Sequence, residues 1–128
     1  MQRQGRIDYR MRRRALLNRL GDGEVGLPEV QDAHRELLRA GRHIGRVLDE
    51  ACPVCEDDEA LRLVTYVFTG RAAKGRGEGG RAVPGAKLAD TLARHGDLKA
   101  YEVEVCLACH WHHLLESFWL LRAGQAAM

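Results

Sequence analysis

All four cysteines of the chain fall into two Cys-x-x-Cys hooks, Cys52-Pro53-Val54-Cys55 and Cys106-Leu107-Ala108-Cys109. A tight turn of this spacing sets two sulfurs side by side. Two such turns facing each other supply the tetrahedral thiolate set that Zn²⁺ takes at Zn–S distances of about 2.3 Å. The sequence therefore reads as one structural zinc site with Cys52, Cys55, Cys106 and Cys109 as ligands. Fifty residues separate Cys55 from Cys106, against the roughly 15 to 20 of the usual pattern. Closure entropy grows only as the logarithm of loop length, so the longer insert costs about 1 kcal/mol more. An apparent zinc-binding free energy of ~10 to 16 kcal/mol outweighs it.

Other uses of the cysteines fit less well. Paired disulfides suit secreted mini-proteins, whereas this sequence opens Met1-Gln2-Arg3-Gln4-Gly5-Arg6 without an apolar signal segment. A thioredoxin-like redox pair needs one hook, and a second complete copy has no part in that chemistry. A thiol redox sensor stays open as a third functional reading. Four thiolates leave zinc no open position, so the site cannot activate water. His110, His112 and His113 lie beside the second hook and His43 before the first, where they could hydrogen-bond the thiolates or compete for the metal. His34 shares a helical face with Val30 and Leu37, as a core histidine would.

The 128 residues make one domain. Nothing approaches the ~20 apolar residues of a membrane span, so a cytoplasmic protein is expected. Arginine outnumbers lysine 17 to 3, and the charge is uneven. Seven arginines against Asp8 alone give the first 20 residues +6, leaving −4 on the rest of a chain whose net charge is +2. A basic segment on a mildly acidic body points to an anionic partner, with Arg6, Arg10, Arg13 and Arg14 as candidate contacts. Only Tyr9 is interleaved with these arginines, which argues against base-specific readout there. Glu56-Asp57-Asp58-Glu59 reads as a solvated turn that keeps nucleic acid from the first hook.

A helix is predicted over 8–20, capped by Asp8 and closed by Gly21, and a second from Pro28 to Gly41 with Val30, Ala33, Leu37 and Leu38 on its apolar face. The seven-residue link from Gly21 to Leu27 is too long for a helix-turn-helix. Leu61 to Phe68 is β-branched and aromatic and reads as a central strand. Glycines and basic residues make 70–85 a loop, Lys87 to His95 a short helix capped by Gly96, and Tyr101 to Cys106 a strand with Tyr101, Val103 and Val105 inward. Trp111 to Leu121 suits a strand, though its spacing also fits a helix. The fold class is α+β: a basic N-terminal helical region over 1–46, a zinc ribbon with a small, three-stranded antiparallel sheet over 47–121 carrying the Gly/Arg insertion, and a tail over 122–128.

Strand, hook and strand together resemble a zinc ribbon. The whole chain also resembles a family of short actinobacterial proteins of unknown function. That resemblance rests on Asp8-Tyr9, Arg13-Arg14-Ala15-Leu16-Leu17, Leu37-Leu38-Arg39-Ala40, the Cys-Pro-x-Cys hook, and Val103-Glu104-Val105-Cys106 with Cys109, His113 and Leu114. It implies that the cysteines are ligands and that the basic helix belongs to the fold. It also implies that 70–85 is where this chain departs most from its relatives.

No paired-carboxylate, Ser/His/Asp or phosphate-loop constellation is present, so no enzyme and no small-molecule substrate is expected. The leading expectation is a zinc-binding module that holds nucleic acid or the transcription machinery through its basic helix. A protein–protein adaptor docking by strand 61–68 or the Trp111/Trp119 segment is the alternative.

Overall fold

The protein, seen here in a computed structural model that describes residues 2–70 and 80–122, is built on a six-stranded antiparallel sheet. Its strands are β1 (Gln2–Asp8), β2 (Arg46–Val47), β3 (Leu61–Thr69), β4 (Arg81–Val83), β5 (Leu98–Cys106) and β6 (His112–Leu121). The order is β1-β6-β5-β3-β2, with β4 also on β3. The apolar β3 is an inner strand paired on both edges, beside β5 at the middle of the order. It pairs with β5 from Leu61↔Cys106 to Thr69↔Leu98, and with β2 and β4 along its other edge.

Among the described residues four α-helices accompany the sheet: α1 (Arg10–Gly21), α2 (Leu27–Val30), α3 (Arg35–Ile44) and α4 (Leu88–His95). On one face Leu88 and Leu92 of α4 pack with Val67, Leu98, Ala100, Phe118 and Leu120. Each fully buried large side chain there contributes about 1.5 to 3 kcal/mol. On the other face α3 lays Leu37 against Val64 and Val105. Gly41 lets α3 come this close, since a Cβ at that position would sit 2.9 Å from a Val105 methyl.

Several expectations are corrected. The first helix begins at Arg10 with Tyr9 as its cap residue, although the Asp8 carboxylate still accepts the Arg10 N–H at 2.9 Å. Residues 2–8, read as part of a helical region, form β1 on the edge strand β6. No apolar alternation marks this strand, because its side chains are exposed and backbone pairing holds it. The second helix is two, with a break at 31–34. His34 is not a core residue but the exposed N-cap of α3, its Nδ1 accepting the Glu36 N–H at 3.1 Å.

The sheet has six strands where three were expected. Part of 70–85 is ordered into β4 and a 3₁₀ turn at Gly85–Lys87, and residues 71–79 lie outside the described ones. Residues 112–121 are strand, settled by pairing with β5 on one side and β1 on the other. Along β5 both parities are covered: Val105 is buried under α3 and Glu104, expected outward, is 1% exposed under α1, while Tyr101 and Val103 stay partly open. Among the described residues no helix is long and apolar enough to cross a membrane.

Candidate metal centre

The two hooks meet at one end of the sheet. Cys106 ends β5, so the second hook is the hairpin into β6, while the first lies in the connection from β2 to β3. The four sulfurs all lie within 4.8 Å of one another. Cys52 Sγ is 3.7 Å from Cys109 Sγ, and Cys55 Sγ is 3.7 Å from Cys106 Sγ, so each close pair takes one sulfur from each hook. Tetrahedral bonds of about 2.3 Å put sulfurs about 3.8 Å apart, whereas a disulfide needs about 2.05 Å. The spacing fits a shared metal ion, and all four cysteines are free thiols.

Each hook is built by the same backbone bonds. Cys52 N donates to Asp57 O (2.9 Å) and Glu56 N to Cys52 O (2.9 Å). In the second, Cys106 N donates to Trp111 O (2.8 Å) and His110 N to Cys106 O (2.9 Å). Closing both turns drives the residue after the last cysteine into the left-handed region, Glu56 at φ +66° and His110 at +73°. The Val54 N–H points at Cys52 Sγ and the Cys109 N–H at Cys106 Sγ, both at 3.4 Å. Such donors stabilise thiolate charge.

Cys52 and Cys106 are buried, Cys109 is half-buried and Cys55 is exposed. Around them pack Val30, Leu61 and Trp111, with Leu16, Leu17, Leu20 and Val25 of the helical region. Burial pushes the Cys52 and Cys106 thiols up. Burial opposes ionisation of Cys109 too, but bonds from the Trp111 N–H and the Gln31 side chain outweigh it and hold this thiol below its usual value. Filling all four positions with sulfur leaves no site for water or substrate, so the centre can staple the fold and do no Lewis-acid chemistry while intact.

No histidine joins the cluster. His110 is exposed, His112 Nε2 lies 3.0 Å from Asp32 Oδ1, and His113 Nδ1 donates to Leu114 O at 2.6 Å while its ring stacks on Trp111. His43 sits exposed in the last turn of α3. Contacts to the second hook come instead from the break between α2 and α3. Gln31 reaches Cys109, Asp32 reaches His112, and Ala33 N donates to His110 O at 3.1 Å. A helix continuous through 31–34 could not offer these groups.

The arginines divide into two sets. Arg6 makes two hydrogen bonds to the Glu116 carboxylate, and Arg10 adds a third at 3.2 Å. Arg3 comes within 3.7 Å of the same group. Arg6 first and Arg10 after it hold Glu116 below the usual carboxylate range, against the opposing effect of burial. Arg13 grips the buried Glu104 through Nε and NH2. Of the four arginines expected to meet a partner, Arg14 alone has no carboxylate within 4 Å among the described residues.

Sequence reasoning missed a second cationic surface. Arg35, Arg39 and Arg42 are exposed on α3, and none has a carboxylate within 4 Å among the described residues. Their i, i+4, i+7 spacing makes one stripe, opposite Leu37 and Gly41, and that period could have been read from the sequence. The adaptor surfaces fare differently: Trp111 is fully buried and β3 is paired on both edges, which leaves Trp119 partly exposed on β6.

The protein is α+β, and its sheet ends in four cysteines placed closely enough to form the donor set of a metal site. A family model described as a family of unknown function (DUF5318) matches residues 1–128, and the chain belongs to that family. Uncharacterised proteins of Mycobacterium tuberculosis and Mycobacterium bovis are 38% identical to it over 125 residues, covering 94% of this chain and 85% of theirs. No solved structure matches the chain significantly.

Proposed function

We propose that this protein is a non-enzymatic module, stapled by a structural zinc ion, that holds nucleic acid through the cationic stripe of α3. Zinc is the ion that four thiolates in a closed tetrahedral set favour, and Glu56, Asp57, Asp58 and Glu59 follow directly after its ligand Cys55 in the chain.

The observation that carries the proposal is the contrast between the two sets of arginines. Arg3, Arg6, Arg10 and Arg13 of β1 and α1 are engaged by Glu104 and Glu116, whereas Arg35, Arg39 and Arg42 lie exposed on one side of α3 with no carboxylate within 4 Å among the described residues. Exposed guanidinium groups on one helical face, spread over about 10 Å at 1.5 Å per residue, suit successive phosphates. Arg81 extends the same surface, lining a groove with Arg39 and His43.

Fluorescence anisotropy of labelled 20-mer oligonucleotides across a salt series tests this. Each phosphate contact steepens the dependence of log K on log salt by roughly 0.7 to 0.9. Replacing Arg35, Arg39 and Arg42 together by Gln should lower the slope by about 2 to 3. Binding absent at low salt, or a slope unmoved by the triple substitution, overturns the proposal.

A further inference from the structure

Among the described residues, half of one sheet face is left uncovered, and aromatic rings are collected there. Tyr66 and Tyr101 stand directly opposite each other on β3 and β5, and in the next row of that face Phe68 is opposite Lys99, which is opposite Trp119. Alternate residues of a strand share a face, so all five side chains stand on the same side. α3 covers the other half of this face near the cysteines, and α4 lies on the reverse side. All four rings are partly exposed. The Phe68 and Tyr101 rings meet edge to face with centroids 5.4 Å apart, and the Lys99 ammonium lies 5.9 Å and 5.5 Å from the Tyr101 and Trp119 rings. A Cβ at position 80 would come within 2.3 Å of the Phe68 ring, so Gly80 lets that ring lie against the backbone.

Tyr9, Tyr66, Phe68 and Tyr101 line a cleft of about 690 Å³, which brings every tyrosine of a chain with only seven aromatic residues to one place. Its two carboxylates are engaged, Glu29 by the Gly26 N–H and Asp32 by His112. Tyr66 also borders the groove of Arg39, His43 and Arg81, where Glu36 is the one carboxylate among the described residues. One residue thus joins an aromatic surface to a cationic one.

We infer that this face stacks the bases of a single-stranded nucleic acid, with Tyr66, Phe68, Tyr101 and Trp119 as the platform and Arg39, Arg81 and Lys99 beside its phosphates. The inference rests on the nucleic-acid reading above and adds which form is bound. Every base offers a π face, so exposed rings flanked by cations hold single strands with little sequence preference. In a duplex the bases are stacked on one another and unavailable, so only phosphates would be read.

The experiment compares thymidine and uridine 20-mers with a 20-base-pair duplex by anisotropy, using the intact, metal-loaded protein. Single strands are expected to bind at least tenfold tighter than the duplex, and Tyr66→Ala with Tyr101→Ala to weaken them by tenfold or more. Tyr66→Phe should retain binding, because it keeps the ring. Unchanged circular dichroism shows that the double variant folds; should it not fold, quenching of Trp119 emission by the single strands in the wild type is the second readout. Equal affinity for duplex and single strands, unmoved by Tyr→Ala and without quenching, overturns this inference and leaves the α3 reading standing. No salt-dependent binding to any oligonucleotide overturns both.

Discussion

Arg6 and Glu116, 110 residues apart in the chain, are joined by a two-pronged contact, Nε to Oε1 at 3.1 Å and NH2 to Oε2 at 3.3 Å. It ties the first strand to the last. Glu116 also stands directly across from Glu102 on β5, a like-charge pairing that is destabilising by itself. The basic N-terminal segment answers that cost, which gives its charge an internal purpose.

Arg13→Ala should be the most damaging of the arginine substitutions. It leaves the Glu104 carboxylate, 1% exposed, without its partner. Removing one member of a buried pair costs about 3 to 5 kcal/mol, while Arg14→Ala, at the surface, should stay within about 0.5 kcal/mol. Urea unfolding of the two variants checks the difference.

The same cluster makes stability depend on pH with a definite sign. Arg6 chiefly, with Arg10, holds the Glu116 carboxyl below the ordinary glutamate range in the fold. A depressed carboxylate contributes stability that is fully present above the unfolded pKa and is lost as pH falls through the folded one. Unfolding free energies measured downward from pH 5 should therefore fall less steeply in Glu116→Gln than in the wild type. Equal slopes would remove Glu116 from the account.

Gly41→Val tests how α3 is seated. The added side chain meets Val105 and Leu107, with the Cβ itself 2.9 Å and 3.3 Å from their methyl groups. Overpacking of this kind costs about 1 to 3 kcal/mol. Thermal unfolding should show a lowered Tm.

Trp111 reports on the centre. Fully buried, it packs with Cys52, Cys106 and Leu61, and its backbone oxygen accepts the Cys106 N–H. Stripping the metal with a strong chelator should shift its emission to the red as that cluster loosens, and adding zinc should reverse the shift. An emission spectrum indifferent to chelation would mean that the thiols alone hold this part of the core.

Features written in local chemistry were legible in the sequence. Two identical hooks announced the cysteine cluster, β-branched residues announced β3, and Gly96 announced the end of α4. Other features depend on partners far away in the chain. β1 carries no apolar alternation and exists because β6 offers it an edge. The break at 31–34 makes sense only beside the second hook, which receives contacts from Gln31, Asp32 and Ala33. Glu104, in an alternating strand, reads as a solvent residue until α1 brings Arg13 over it. The positive φ of Glu56 and His110 has no signal at all, because neither is the glycine or asparagine that marks such a turn.

The central claim is that one ion joins the early and late thiol pairs. Mass-spectrometric metal analysis of protein purified under reducing conditions, beside Cys52→Ser and Cys106→Ser variants, tests it directly. The account predicts one zinc per wild-type chain and a substoichiometric content in both variants, one from each hook. A wild-type chain that is folded and free of metal would contradict it.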